Sequence, residues 1–389
     1  MGEPFLKSSD SAAAADVEIA FTCNICGRES RAPRPAFDRE VPSCTECGST
    51  VRTRAVVQMI SRELFGVNLT LPEFPVLNGI RGIGISDSPD YAERLAEKFS
   101  YRNTFYHTEP RFDIVELPES EAGQYDFLIA SEVFEHVAPP VERAFDNAFR
   151  LLKPGGLFFF TVPYTLDEHT LEHFPQLHDY GIAQLSDRHV LVNRTADGRL
   201  EVFDALVFHG GGGETLEIRR FTEQGLREQF ATAGFRSLEI YGASYEPYGI
   251  VRSENWSLPM TARKGTFALS AESVAQILEQ SVSRLKQFQG EARALKARLA
   301  EYDEWAAWAN GKMAEGEKQL EERTNWALDL ERELKERSDW TVILQRDVAH
   351  HTELAKRFQA EAEELRAELV RLKATRWVRI GNAVAGLTR

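Results

Sequence analysis

The chain has 389 residues, 43% of them hydrophobic, and 46 Lys and Arg against 60 Asp and Glu give a formal net charge of −14. That length exceeds one ordinary core and calls for two or three units. The acidic balance argues against an extended nucleic-acid surface, which needs clustered cations, and no run approaches the ~20 apolar residues of a membrane span.

Residues 1–18 read as a polar, mobile leader. A signal peptide would begin with basic residues and an apolar run, so the expected location is the cytoplasm. All four cysteines follow together, Cys23 and Cys26 in "CNIC" and Cys44 and Cys47 in "CTEC". Two residues between ligands let a knuckle turn both sulfurs toward one ion, and Gly27 and Gly48 suit the reversal. The expectation is a zinc ribbon over 19–56. Its four thiolates close the coordination sphere, so the zinc is structural and supplies ~10–16 kcal/mol of folding free energy. Two disulfides would be out of place in a cytosolic chain. Arg28, Arg31, Arg34, Arg52 and Arg54 keep a nucleic-acid adaptor role open for this segment.

From about Leu69 to Lys264, strand-like and helix-like runs alternate, the pattern of an α/β domain. "NGIRGIGIS" reads as a buried strand and "SPDYAERLAEKF" as the helix after it. "NTFYH" reads as a second strand ending at Glu109, and "YDFLIASEVF" as a third. "VERAFDNAFRLL" has helical spacing, and "KPGG" turns into "LFFFTVP", an apolar run suited to a strand covered on both faces. "TEQGLREQFATAGF" is a helix capped by Thr222 and ended by Gly234, and "RSLEIYG" and "WSLPMTAR" are closing strands.

The run "SEVFEHVAPPVERAFDNAFRLLKPGGLFFFTVPY" resembles the region after strand four in class I S-adenosylmethionine-dependent methyltransferases. A closer likeness is to bacterial methyltransferases of cell-surface polysaccharide pathways that carry an N-terminal four-cysteine ribbon. It runs through "GISDS", "FYHTEPRFDI", "LVFHGGGGETLEIRRF" and the coiled tail. The resemblance implies a Rossmann-like α/β sheet over 57–264, mostly parallel with an antiparallel last strand, and S-adenosylmethionine as cofactor. It places Gly82, Gly84 and Ser86 in a bend under the methionine and ribose, with Asp87 beside it. Glu109 would accept from the ribose hydroxyls, Asp113 and Ile114 would hold the adenine, and Ser131 and Glu132 would lie near the methionine. The loop departs from the family by lacking the third glycine and the acid that normally precedes it on the first strand.

A hydroxyl acceptor gains from a base, and His136 in "FEHV" is the first catalytic candidate; its alternative role is to cap the helix it begins. Residues 164–220 form an insertion over the acceptor side, with a hairpin turning at Asp197-Gly198. It carries His169, His173, His178, His189 and His209, of which His209 is the second catalytic candidate. No H-x3-H pair on a clear helix supports metal binding there.

Residues 265–375 read as a coiled coil, with one heptad register from Ala271 to Leu372 and Leu344, Val348, Phe358, Ala362 and Leu365 among its a and d positions. It predicts a homo-oligomeric coiled coil ~150 Å long, weakened at Gly311 and Gly316. A helical hairpin folding back on itself is the alternative. Trp305, Trp326 and Trp340 share one position flanking the seam. Residues 376–389 are basic and amphipathic, suited to weak contact with the inner membrane face or to docking a partner.

Three functions fit. The first is methyl transfer to a hydroxyl of a small-molecule or glycan acceptor, a sugar or surface-polysaccharide intermediate. The others are a methyltransferase-like scaffold without turnover in a polysaccharide-assembly complex, and an RNA methyltransferase guided by the ribbon.

Overall fold

The computed structural model describes residues 18–186, 188–209, 215–252, 254–328 and 334–374. The leader, the four glycines after His209 and the basic tail lie outside the described residues, as do the side chains of Trp326, Trp340 and Thr341. The chain divides into two units, Met1–Ile277 and Leu278–Arg389.

The first unit opens with an antiparallel pair, β1 (Glu18–Thr22) and β2 (Glu29–Pro33). Two knuckles follow the cysteine pairs: Gly27 N–H donates to Cys23 O (2.7 Å) and Gly48 N–H to Cys44 O (3.0 Å). Both glycines have positive φ, 76° and 69°, which a side chain would oppose. The sulfurs of Cys23 and Cys47 are 3.6 Å apart, and those of Cys26 and Cys44 3.7 Å. A disulfide needs ~2.05 Å; four sulfurs at ~2.3 Å from one tetrahedral ion stand about 3.8 Å apart. Four sulfurs this close could hold one metal ion. Helix α1 (Val51–Phe65) follows, with Thr50 as a reciprocal cap, and packs onto the central sheet. The expected boundary between residues 56 and 57 therefore falls inside one helix.

The central sheet is built from β3 (Leu77–Ile85), β4 (Phe99–Thr104), β5 (Tyr125–Ser131), β6 (Leu152–Thr161), β15 (Ser237–Ile240) and β16 (Met260–Arg263). Its order is β15-β16-β6-β5-β3-β4. The pairings among β4, β3, β5 and β6 are parallel, and β16 runs antiparallel to both neighbours. Helices α2 (Pro89–Ala96), α3 (Glu142–Leu151) and α4 (Glu223–Thr232) complete the domain. Residues 127–130 of β5 and 157–160 of β6 are buried on both faces, as central parallel strands require. Thr222 accepts from Gly225 N–H and caps α4.

The second strand begins and ends earlier than predicted. Phe99 packs edge-on against Phe127 (5.5 Å) and Tyr101 stacks over it (6.0 Å), so "FSYRNT" is the stretch held in the sheet. Thr104 Oγ1 then donates to Gly84 O (2.7 Å) and closes it. Glu109 lies beyond that end, exposed, rather than on the strand.

Between β6 and α4 lie β7 (Tyr164–Thr165), β8 (Leu171–Glu172), β9 (Asp179–Leu185), β10 (Arg188–Arg194), β11 (Leu200–Phe203), β12 (Phe208–His209), β13 (Thr215–Leu216) and β14 (Arg219–Thr222). Strands β9, β10 and β11 form a sheet whose predicted turn is present, with Gly198 at φ 87°. Phe174, Leu177, Leu191, Leu216 and Ile218 give this insertion a small core of its own.

The second unit holds most of α5 (Ala271–Leu328) and α6 (Leu334–Ala374). The expected single rod is corrected here. Trp305 packs on Phe358 at 4.3 Å, Tyr302 donates to Glu361 at 3.2 Å, and Asp303 pairs with Arg366 at 3.5 Å. Residue numbers rising on one helix meet numbers falling on the other, so the two helices run antiparallel within one chain. Heptad residues Ala362 and Leu365 are buried without a second copy. Gly311 and Gly316 sit inside α5 and do not break it. Among the described residues no helix is long and apolar enough to cross a membrane.

Candidate active site

Parallel α/β sheets bind ligands outside the carboxyl ends of their strands, and here the ribbon reaches that edge. After Ser131 the backbone turns through Glu132, a non-glycine residue at φ 60°. Its carboxylate meets Arg39 in a two-pronged pair, 2.6 and 3.0 Å, and accepts from Thr161 Oγ1 at 2.8 Å. Burial works to raise the Glu132 carboxyl, but the charges of Arg39 and Arg52 outweigh it and hold it below its ordinary value. Arg52 donates to Ser131 Oγ (2.6 Å) and to Glu40 (2.8 Å). Arg252 stands close enough to Arg39 for the two charges to repel. Burial first, and that charge second, lower its pKa to about 10. Its Nε and Nη2 are buried with no hydrogen-bond partner among the described residues. Two guanidinium groups thus act on Glu132, and a third, beside Arg39, carries unmatched donors. Buried donors of that kind call for an anionic acceptor.

The loop after β3 differs from expectation. Gly82 and Gly84 lie within the strand, and the bend falls at Ser86, φ 56°. A side chain at Gly82 would collide with the Phe127 ring, and one at Gly84 with Tyr101 Oη and the Asp87 carboxylate. These glycines therefore make room for the protein's own side chains rather than for a cofactor. Asp87 is buried, accepting from Tyr91 Oη (2.9 Å) and Tyr101 Oη. Burial raises its pKa to about 7 against the lowering effect of those two bonds. Ile114 packs in the main core instead of walling an open site. Asp113 caps Val115 N–H (3.0 Å) and Glu109 accepts from Arg111 N–H (3.0 Å). The larger cavity, about 560 Å³, is lined by Arg81, Tyr101, Arg102 and Tyr125 and lies away from the strand ends carrying Ser131 and Glu132.

The two histidine candidates do meet. His136 ends the short 3-10 turn Phe134–His136, and its ring centroid lies 5.0 Å from that of His209 on β12. The insertion is laced onto this turn. Ile218 N–H donates to Glu135 O (2.9 Å), and the buried Arg219 donates to Phe134 O (3.0 Å) and Val137 O (2.5 Å). Glu217 accepts from His209 Nε2 (2.9 Å) and His173 Nε2 (2.8 Å). His136 Nδ1 lies 2.8 Å from Leu216 O. Burial lowers the His136 pKa despite that bond. His169 is exposed and apart from the cluster.

Residues 72–240 match the family model of the methyltransferase domain. These residues of the central domain form a methyltransferase domain. Within the chain, 84 residues are 34% identical to a ubiquinone biosynthesis O-methyltransferase of Acinetobacter baylyi, covering 21% of this chain. The chain spans about a third of the length of that curated relative (34%). Among solved structures it is similar to a Burkholderia thailandensis 1,6-didemethyltoxoflavin-N1-methyltransferase with bound S-adenosylhomocysteine. The identity is 17% and the TM-score 0.30, over 54% of this chain and 79% of that one. It is also similar to CalS10 of Micromonospora echinaspora, an amino pentose methyltransferase with bound S-adenosylmethionine. There the identity is 13% and the TM-score 0.31, over 56% and 92% of the two chains. Likenesses this distant carry nothing about substrate.

Sequence reasoning reached His136, His209, Ser131 and Glu132 in the methyltransferase domain. It missed Glu135, Glu217, Arg39 and Arg252, which act on the site through tertiary contacts. It also kept a nucleic-acid adaptor role open for the arginines of the cysteine segment. Arg54 is instead fully buried, donating to Ser43 Oγ (2.8 Å), Ser49 O (2.8 Å) and Gly249 O (2.9 Å), and Arg52 serves the strand edge.

Proposed function

We propose that the protein is an S-adenosylmethionine-dependent methyltransferase acting on a hydroxyl oxygen, with a sugar or surface-polysaccharide intermediate as acceptor. The sugar rests on the family resemblance; the oxygen rests also on the curated O-methyltransferase relative. One observation carries the reading: at the carboxyl edge of a methyltransferase domain, Glu132 and three guanidinium groups make a site of mixed charge, with unmatched donors on Arg252. That donor set fits an amino acid zwitterion, the α-ammonium toward Glu132 and the α-carboxylate toward Arg39 and Arg252. Bound there, S-adenosylmethionine supplies a methyl carbon activated by its sulfonium. The chain's part is to align the acceptor and exclude water. His136, neutral and beside the acceptor insertion, would take the hydroxyl proton as the new O–C bond forms. Zinc on Cys23, Cys26, Cys44 and Cys47 would hold the ribbon that presents Arg39 and Arg52. Homo-oligomers and membrane-surface contact remain expectations for the helical unit and the tail.

A scaffold without turnover is favoured by one specific observation, the filled space at Gly82 and Gly84. Calorimetry with S-adenosylmethionine decides between them. Micromolar binding that weakens in Arg252→Met supports the enzyme; no heat at millimolar ligand leaves the scaffold.

A further inference from the structure

Glu135 is completely buried, and neither carboxylate oxygen has a hydrogen-bond partner among the described residues. Such a group is costly unless something compensates it. What faces it is not a donor. Oε1 lies 3.5 Å from His136 Nε2 and 3.9 Å from His209 Nδ1, both beyond a good hydrogen bond. The far sides of the two rings explain why. His136 Nδ1 lies against a backbone carbonyl, Leu216 O. A carbonyl can only accept, so Nδ1 carries the proton and Nε2 presents a lone pair. His209 Nε2 lies against the Glu217 carboxylate, so its proton is there and Nδ1 presents a lone pair. Two imidazole lone pairs and an unpartnered carboxylate therefore converge, their ligand atoms all within 4.8 Å of one another. Three electron-rich groups this close repel unless a proton or a cation sits between them; a proton on Glu135 would serve one imidazole, and a cation serves both.

We propose that Glu135, His136 and His209 bind a divalent first-row transition cation. Ligand atoms about 2.1 Å from one ion stand ~3.0–3.4 Å apart, so the two Glu135 spacings of 3.5 and 3.9 Å need to close by roughly half an ångström, and the two imidazole nitrogens, within 4.8 Å of one another, draw in around the ion. The outer contacts are those a metal-binding histidine uses, a carbonyl for one ring and a carboxylate for the other. Two nitrogens and one carboxylate suit zinc, iron(II), cobalt(II) or manganese(II) better than calcium or magnesium. Three protein ligands leave coordination positions open. Glu135 closes the inner side, and His209 is the most exposed of the three, its side chain one-third accessible. The open positions therefore face the acceptor side. With the ion bound, the His136 lone pair is a ligand and no longer a base; the ion takes over that role, binding the acceptor hydroxyl and lowering its pKa, the proton leaving to water as the alkoxide forms. This acceptor role rests on the methyltransferase reading; the ion site does not.

The test is cobalt(II) titration of the full-length protein after dialysis against a mild chelator, followed by absorbance and metal analysis. One equivalent should bind with weak d–d bands and no sulfur-to-cobalt charge transfer, which separates it from the cysteine knuckle. Glu135→Gln keeps the shape of the side chain and His209→Ala removes a ligand; each should weaken this equivalent roughly 100-fold or more. Unchanged metal content at the cysteines shows that both variants are folded. Absence of the extra equivalent in the wild type, or equal affinity in Glu135→Gln, overturns the site. Binding of the ion without any methyl transfer would instead overturn the function proposed above while leaving the site intact.

Discussion

Replacing Asp87 by asparagine should stabilise the methyltransferase domain above neutral pH. In the folded protein burial holds this carboxyl at about 7, against an ordinary 3.8. Because the fold binds that proton more tightly than the unfolded chain, its stabilising contribution is complete below pH 3.8 and is lost as pH rises through about 7. At about 1.4 kcal/mol per pH unit, the whole difference has a ceiling of roughly 4 kcal/mol. About 3 kcal/mol of it should disappear between pH 5 and pH 8. Asparagine keeps a carbonyl oxygen for one tyrosine hydroxyl and carries no charge, so its variant should lack this slope. Amide hydrogen exchange at Leu128 and Ile129, corrected for intrinsic rate, reports opening of the sheet separately from the helical unit. Parallel pH profiles for wild type and Asp87→Asn would refute the reasoning.

Gly84→Ala should destabilise the sheet by about 1–3 kcal/mol through overpacking against Tyr101 and Asp87, read as a loss of exchange protection at the same amides. Arg54→Leu should cost about 3 kcal/mol or more by leaving Ser43, Ser49 and Gly249 without their buried donor, read as a lower melting temperature. Cys44→Ser should remove one equivalent of zinc in metal analysis. It should also weaken S-adenosylmethionine binding in calorimetry, because Arg39 and Arg52 lose their support. Arg39→Met should weaken that binding about tenfold or more, since it leaves Glu132 without its charged partner.

The fold was legible where periodicity and turn chemistry agree. "FLIA" and "LFFF" could only be strands covered on both faces, and Thr222 and Gly234 marked the ends of α4 at positions the structure repeats. The second strand was misplaced because "NTFYH" carries the stronger β propensity. What selects "FSYRNT" is the Phe127 ring across the sheet, a contact no local window contains. The tail shows the same limit. A heptad stripe specifies that a seam is covered, not whether the cover is another chain or the same one returning. In the site, His136 and His209 were found by residue type. Glu135 was passed over because an acid in "FEHV" looks like any helix-start acid until both its oxygens prove to be buried.

The ribbon is more than an attached module, and the reason lies in how little separates it from the strand edge. Cys44 and Cys47 fix the knuckle, α1 begins three residues after Cys47's Gly48, and Arg52 sits on its first turn with its guanidinium on Ser131. Arg39, between the two cysteine pairs, reaches Glu132 and also Ser257 O (3.3 Å). On its own the sheet would present Glu132 as a carboxylate held by Thr161 alone, without a charged partner and at a positive φ, an arrangement that persists only when surrounding structure holds it. The arginines that hold it come from a segment with little apolar core of its own. Loss of metal from the cysteines should therefore reach the strand edge through Arg39 and Arg52, coupling the state of the knuckle to cofactor affinity without any contact between the two.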